Sequence, residues 1–244
     1  MDQFTLKEHI LALKSCILIV ILSYFLAFVL CYFFSESLLY FLLKPLISIS
    51  SSQKIIYTDL SEAFWGHLRT ASFFAFLIIY PICCYQIYSF ISPGLYIREK
   101  KIAYFIFFCS PILFYLGGIF LYYLIIPNAW GFFMGYETKF GDISVSFEAK
   151  ISEYLDLFFG LIWAFGAAFQ LPVLVSILSL LGVVKTSYLK AKRRIVIVVL
   201  FIISAIFTPP DVLSQIALAI PLVLLYEFSI LISIAIEKRL KDKC

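Results

Sequence analysis

The feature that most constrains this chain is a set of apolar runs too long for the core of a soluble domain. Residues 17–34, 71–91, 102–126 and 154–184 are nearly free of charge. A helix needs about 20 mostly apolar residues to cross a hydrocarbon layer of about 30 Å. All four runs have about that length. Of the 244 residues 63% are hydrophobic and only 14% charged, with a mean hydropathy of +1.03. A soluble domain carries about 25% charged and about 45–50% apolar residues. No water-soluble fold could hide this much apolar surface, so the expected class is an all-α polytopic membrane protein.

The last third is less regular. Residues 195–207 form 13 apolar positions, about 20 Å of helix at about 1.5 Å per residue. Thr208-Pro209-Pro210-Asp211 follows and cannot continue a helix, because proline fixes its own φ and biases the preceding residue away from the helical region. A second apolar run, 212–236, is interrupted by Pro221 and Glu227. The pattern predicts two short helices in a tight hairpin, completing six spans: 17–34, 71–91, 102–126, 154–184, 195–207 and 212–236. No internal repeat, low-complexity tract or boundary divides residues 1–244, so a single membrane domain is expected. The first apolar run has no small-residue cleavage site and is expected to remain as an anchor.

Basic residues orient the spans. With six spans, 14 of the 19 Lys and Arg fall on one side. Both termini are therefore expected on the cytoplasmic, matrix or stromal side. The net charge of +4 is too small to suggest nucleic acid.

The two outer connections are the longer ones. In the first, Asp59 is placed to cap a helix, with Glu62 three residues on to answer it. Leu60, Phe64 and Leu68 then share a face, as in an amphipathic helix lying at the interface. Pro45 and Asp59 are the candidate outer-loop residues. The second connection leads into "SFEAKISEYL", which reads as a locally capped start to the fourth span.

Polar groups persist in a membrane only at a cost, so each one marks a candidate site. Gln86 lies one turn beyond Pro81. Gln170 lies mid-way along the fourth span, beside a Gly-Ala-Ala face and two residues before Pro172. A kink there would aim Gln170 into a cavity; an interhelical hydrogen bond is the plainer alternative. Gln215 and Glu227 fall in the last span, where Glu227 is expected to be protonated or near the membrane surface.

Catalytic and metal sites are not expected. His9 and His67 lie near opposite faces, and no nucleophile, zinc or phosphate-loop motif is present. The six cysteines lack metal-ligand spacing and read as packing residues. No cofactor is implied. A small-solute transporter would show inverted repeats and several midplane ionisable groups, which this sequence lacks. A structural subunit of a respiratory complex is the other alternative.

Three stretches in order carry a family resemblance: "FTLKEHILALK" (4–14), "FISPGLYIREKK" (90–101) and "FTPPDVLSQIALAIPLVLLYE" (207–227), supported by "AFGAAFQLPV" (164–173). Together they resemble the TatC family, the polytopic core subunit of the twin-arginine protein translocase. The resemblance implies a receptor for folded proteins whose leader carries two consecutive arginines. It also implies six helices in a curved arrangement, small single-span partner subunits, a homo-oligomer, and transport driven by the proton-motive force. It carries the signal-peptide-binding role to Glu99, with Glu8, Phe90, Pro93 and Gly94, and marks Pro209, Pro210 and Asp211 as the last hairpin.

Physical chemistry gives Glu99 two compatible roles. Paired guanidinium groups need carboxylates, best engaged bidentately at a partly desolvated surface. A glutamate in the first turn of a helix also offsets the macrodipole by about 0.3–1 kcal/mol. The flanking lysines suit anionic lipid headgroups and repel a basic peptide, so recognition should be short-range and salt-sensitive. Two positions depart from the family pattern. Ala12 stands where a second glutamate is expected, one helical turn from Glu8, which would take part of the lost contact. Gln170 stands where bacterial members carry a glutamate; it mimics a protonated glutamate but cannot ionise. Phe- and Tyr-rich, Gly-poor composition hints at AT-rich coding. With these departures it points to a mitochondrial inner membrane, leaving a plastid thylakoid or a bacterial inner membrane open.

Overall fold

The computed structural model describes residues 6–49, 55–57, 59–134, 138–140, 143–145, 149–207 and 212–241. In chain order the elements are α1 (Leu6–Phe33), α2 (Ser35–Ile49), β1 (Ile55–Ile56), α3 (Leu60–Ile91) and a 3-10 turn (Ser92–Gly94). Then follow α4 (Ile97–Phe120), a π-turn (Leu121–Ile125), α5 (Ile126–Met134), β2 (Thr138–Phe140), β3 (Ile143–Val145) and β4 (Ala149–Lys150). The chain ends with α6 (Ile151–Phe169), α7 (Leu171–Leu180), α8 (Thr186–Phe207) and α9 (Val212–Lys241). Five helical stretches among the described residues are long and apolar enough to cross a membrane: Ile10–Phe33, Ser61–Gly94, Glu99–Gly131, Ile151–Leu180 and Leu218–Lys238.

Several elements differ from the sequence reading, each for a physical reason. The connection between the first two apolar runs contains α2, which holds Pro45 inside it. The stretch from Leu60 is the first part of α3, continuous to Ile91, rather than a separate interfacial helix. The third span runs past residue 126, because a π-turn absorbs one local irregularity and the helix resumes as α5. The last two helices are long. α8 has 22 residues and α9 has 30, because the basic segment from Thr186 and the charged tail to Lys241 both continue helically. Only the apolar part of α8 is short. The Pro209-Pro210-Asp211 hairpin lies outside the described residues.

The chain forms two compact units, Met1–Leu42 with Ala63–Pro111, and Leu43–Glu62 with Ile112–Cys244. In the first, Ala71 and Ala75 are fully buried, with Ala27, Cys31 and Ile79 around them. Lipid tails are as apolar as these side chains, so close packing of small residues and interhelical hydrogen bonds hold such helices together. Tyr24 and Ser72 share a hydroxyl hydrogen bond of 2.6 Å between α1 and α3. Ser110 of α4 meets both Tyr80 at 3.4 Å and the Cys84 thiol at 3.5 Å on α3.

In the second unit α9 packs along α7 and α8. Its buried residues Leu218, Leu222, Tyr226, Ile230 and Ser233 recur at three- and four-residue spacing and make one face. Between α4 and α6 the backbones come close. A methyl on Gly166 would overlap the Phe114 ring, and one on Gly117 would lie 3.0 Å from Phe169 Cγ. The turn from α7 to α8 is closed by Gly182 at φ +71°, with its N–H on Ser179 O at 3.1 Å and Val183 N–H on Leu178 O at 2.9 Å. β1 runs parallel to β4, pairing Ile55 with Ala149 and Ile56 with Lys150. β2 and β3 form an antiparallel ribbon.

Candidate functional site

The turn between α3 and α4 is built around Glu99. Pro93 sits at the start of the 3-10 turn, where a fixed φ costs nothing, and Leu95 N–H closes it on Ser92 O at 3.2 Å. Gly94 has an ordinary φ and open space where a Cβ would stand, so the backbone does not demand glycine there. Tyr96 is the last residue before α4, and its N–H donates to Glu99 Oε2 at 3.0 Å. This is half of a capping box. Oε1 has no partner among the described residues, and Glu99 is half-buried. Tyr88 braces the turn from α3, with its hydroxyl on Lys100 O at 3.4 Å and its ring 5.5 Å from that of Tyr104.

Phe90, in the last turn of α3, lines a cleft of about 280 Å³ between α1 and α3. Leu13, Cys16, Val20, Cys83 and Gln86 also line it, so its walls are apolar with one amide. Glu8 lies in α1; its side chain is outside the described residues.

Polar positions in the second unit take separate places. Gln170 occupies the break between α6 and α7, half-buried at φ −81°, ψ −5°. Pro172, second residue of α7, has no N–H to extend the α6 ladder. Gln215 Nε2 donates to Phe201 O at 3.2 Å, joining α9 to α8. Glu227 accepts a charge-assisted hydrogen bond from Arg193. α8 remains helical through its basic segment and places this guanidinium beside α9. Tyr226 next to it donates to Leu189 O at 2.9 Å.

Remote acids also complete helix starts, which local sequence did not disclose. Glu237 Oε1 on α9 accepts Thr186 N–H at 2.6 Å at the start of α8. Beside it the buried hydroxyls of Thr186, Ser233 and Ser179 form a chain with steps of 2.9 and 2.7 Å. At the start of α3 the Asp59–Glu62 capping box is present: Asp59 Oδ1 accepts Ser61 N–H at 3.5 Å and Glu62 Oε2 accepts Asp59 N–H at 3.3 Å. Burial and then the Glu62 carboxylate push the Tyr57 phenol up. The start of α6 is not locally capped as the sequence suggested. Lys150 supplies no side-chain cap; Glu62 Oε1 accepts Ser152 N–H at 2.9 Å instead. Among the described residues no cluster of His, Cys, Asp and Glu could hold a metal ion.

Long apolar helices packed through small residues and sparse buried polar groups define a polytopic helical membrane protein. Residues 8–221 match the family described as Sec-independent protein translocase protein (TatC). A Sec-independent protein translocase protein TatC from Rickettsia prowazekii is 49% identical over 239 residues, covering 97% of this chain and 95% of that protein. An uncharacterized tatC-like protein from Reclinomonas americana is 39% identical over 195 residues, covering 79% and 75%. A crystal structure of the twin arginine translocase receptor TatC superposes with a TM-score of 0.74 at 29% identity, covering 94% of this chain and all of the other. The chain belongs to the TatC family. It is a translocase component and not an enzyme, and the respiratory-subunit and solute-transporter alternatives are set aside.

Proposed function

We propose that this chain is the receptor and core subunit that takes folded proteins with twin-arginine leaders across an energy-coupling membrane, driven by the proton-motive force. The observation that carries this reading is the state of Glu99. One carboxylate oxygen is fixed by the Tyr96 N–H, and the other, at a half-buried position, has no partner among the described residues. The cap aims the side chain in advance, so an incoming guanidinium loses less entropy on binding. Phe90, Pro93 and Gly94 shape the turn, and Glu8 shares the load in place of the glutamate missing at position 12. The cleft beneath Phe90 suits an apolar side chain of the leader.

In this proposal α1, α3, α4 with α5, α6 with α7, α8 and α9 make six crossings. Both termini lie on the cytoplasmic, matrix or stromal side, supported by the 14 of 19 basic residues on that side. Residues 1–244 act as one membrane domain. Gln170, Gln215 and Glu227 are the intramembrane polar contacts, Pro209, Pro210 and Asp211 form the outer hairpin, and Pro45 and Asp59 shape the first outer loop. Partners are twin-arginine leaders, single-span Tat subunits, further copies of the chain and membrane lipids. The membrane is the mitochondrial inner membrane, with the plastid thylakoid and the bacterial inner membrane as alternatives. Identity of 49% to the Rickettsia prowazekii protein adds weight to the bacterial one, because AT-rich composition reports a genome's base usage and not a compartment. A photo-crosslinker at position 99 should capture a twin-arginine leader and not a twin-lysine control; equal capture of both would defeat the reading.

A further inference from the structure

The segment from Lys192 to Phe207 is built like a leader. Two consecutive arginines, Arg193 and Arg194, precede the 13 apolar residues 195–207. A leader is a positively charged segment followed by an apolar run of about 7–15 residues. The structure shows where one of these arginines goes. The Arg193 guanidinium holds Oε2 of Glu227, while Glu227 Oε1 and the whole of Arg194 have no partner among the described residues. The pair is not sealed: the side chains are 49% and 33% exposed. Glu227 is thus an open carboxylate already shown to accept arginine, and its occupant is a leader-like piece of the same chain.

We propose that Glu227 is a second acceptor for a leader arginine, held closed in the resting chain by Arg193. This rests on the reading of the chain as a twin-arginine receptor. An incoming arginine that displaces Arg193 exchanges one guanidinium–carboxylate hydrogen bond for another. The bond type and charge count on the carboxylate do not change, and the half-exposed Arg193 returns to the polar headgroup layer. Exchange therefore costs only the release of Arg193 from a partly exposed pair, which is a weak one. The free Oε1 gives the second guanidinium a place to land before the first leaves. A lysine pair would present point charges without the planar fork, so the site would keep the preference for arginine.

The test uses the full-length chain in lipid nanodiscs and a fluorescent leader peptide with two consecutive arginines, with a twin-lysine peptide as control. Removing the internal competitor by R193Q should tighten binding by about three- to tenfold, the factor by which Arg193 lowers the competent fraction. R194Q removes the same charge without opening Glu227, so it measures plain electrostatics and should give a smaller gain. In R193Q/E227Q the extra gain should vanish. If R193Q does not insert, R193K keeps a cation there and should still give part of the gain. Equal gains in R193Q and R194Q, no gain in R193K, or a gain that survives in R193Q/E227Q would overturn the proposal. A wild-type chain that fails to prefer the twin-arginine over the twin-lysine peptide would instead overturn the receptor reading itself.

Discussion

The carboxylate of Glu62 accepts the backbone N–H of Ser152 at 2.9 Å, across 90 residues of sequence. Its other oxygen accepts the N–H of Asp59 at 3.3 Å. One buried acid therefore completes the starts of both α3 and α6. Helix starts leave N–H groups without internal partners, and near a lipid layer few waters are at hand to satisfy them.

Replacing Glu62 by alanine should strip both caps and leave the Ser152 N–H without its acceptor. The expected loss is about 1–3 kcal/mol, the cost of an unsatisfied donor with a lost cap. Glutamine keeps an acceptor oxygen and should lose less. Thermal unfolding in detergent measures both. E153Q is the control: its contact with Lys150 is solvent-exposed and should contribute almost nothing.

Glu99→Gln should preserve the turn, because the amide oxygen still accepts the Tyr96 N–H. It should weaken binding of a twin-arginine leader by roughly 10- to 100-fold, matching about 1.5–3 kcal/mol for a hydrogen bond to a charged group. Wild-type binding should weaken as salt rises, while the variant's should depend less on salt. A titration at two ionic strengths reads both effects, and unchanged affinity in E99Q would end the receptor role of this side chain.

Gly166→Ala should destabilise the second unit by about 1–3 kcal/mol through overpacking, since its methyl meets the Phe114 ring. Phe114→Leu should recover part of that loss in the double variant by giving up ring volume. Gly94→Ala, with open space around it, should leave unfolding unchanged. Parallel melts of the four chains test the set.

Gln170 cannot ionise, so transport that depends on it needs polarity at the helix break and not a proton. Q170E should therefore transport as well as wild type, and Q170L should transport less while leader binding stays intact. Vesicle import assays with a folded twin-arginine precursor decide this. Full transport by Q170L would remove any role for polarity here.

The apolar part of α8, 13 residues and about 20 Å at about 1.5 Å per residue, is shorter than a hydrocarbon layer of about 30 Å. Inserting one apolar helical turn within 195–207 should relieve this mismatch. Transport should fall and leader binding should not. Normal transport by the lengthened chain would rule out a thinned bilayer as part of the pathway.

Much of this fold could be read from the sequence because lipid enforces one rule: every span is a helix long and apolar enough to satisfy its own backbone. The apolar runs at 71–91 and 154–184 carry that signal directly. The Asp59–Glu62 box was legible because its partners are three residues apart. What escaped the reading is what couples distant positions. Nothing near Ser152 announces Glu62, and nothing near Glu227 announces Arg193. The full length of α8 was hidden because its first part is rich in basic residues, so hydropathy placed its start at residue 195 while the helix begins at Thr186. Of the turn between α3 and α4, Glu99, Phe90 and Pro93 were legible, whereas the bracing by Tyr88 depends on which face α3 turns toward α4.

The shared acid at position 62 also sets a schedule for the newborn chain. When the start of α3 emerges, half of its carboxylate's acceptor capacity is idle, and Ser152 is still 90 residues from being made. At about 5–20 residues per second that wait is roughly 5–20 s. During it the start of α3 is a provisional structure, open to whatever insertion machinery handles nascent membrane chains, and it is completed only when the start of α6 arrives.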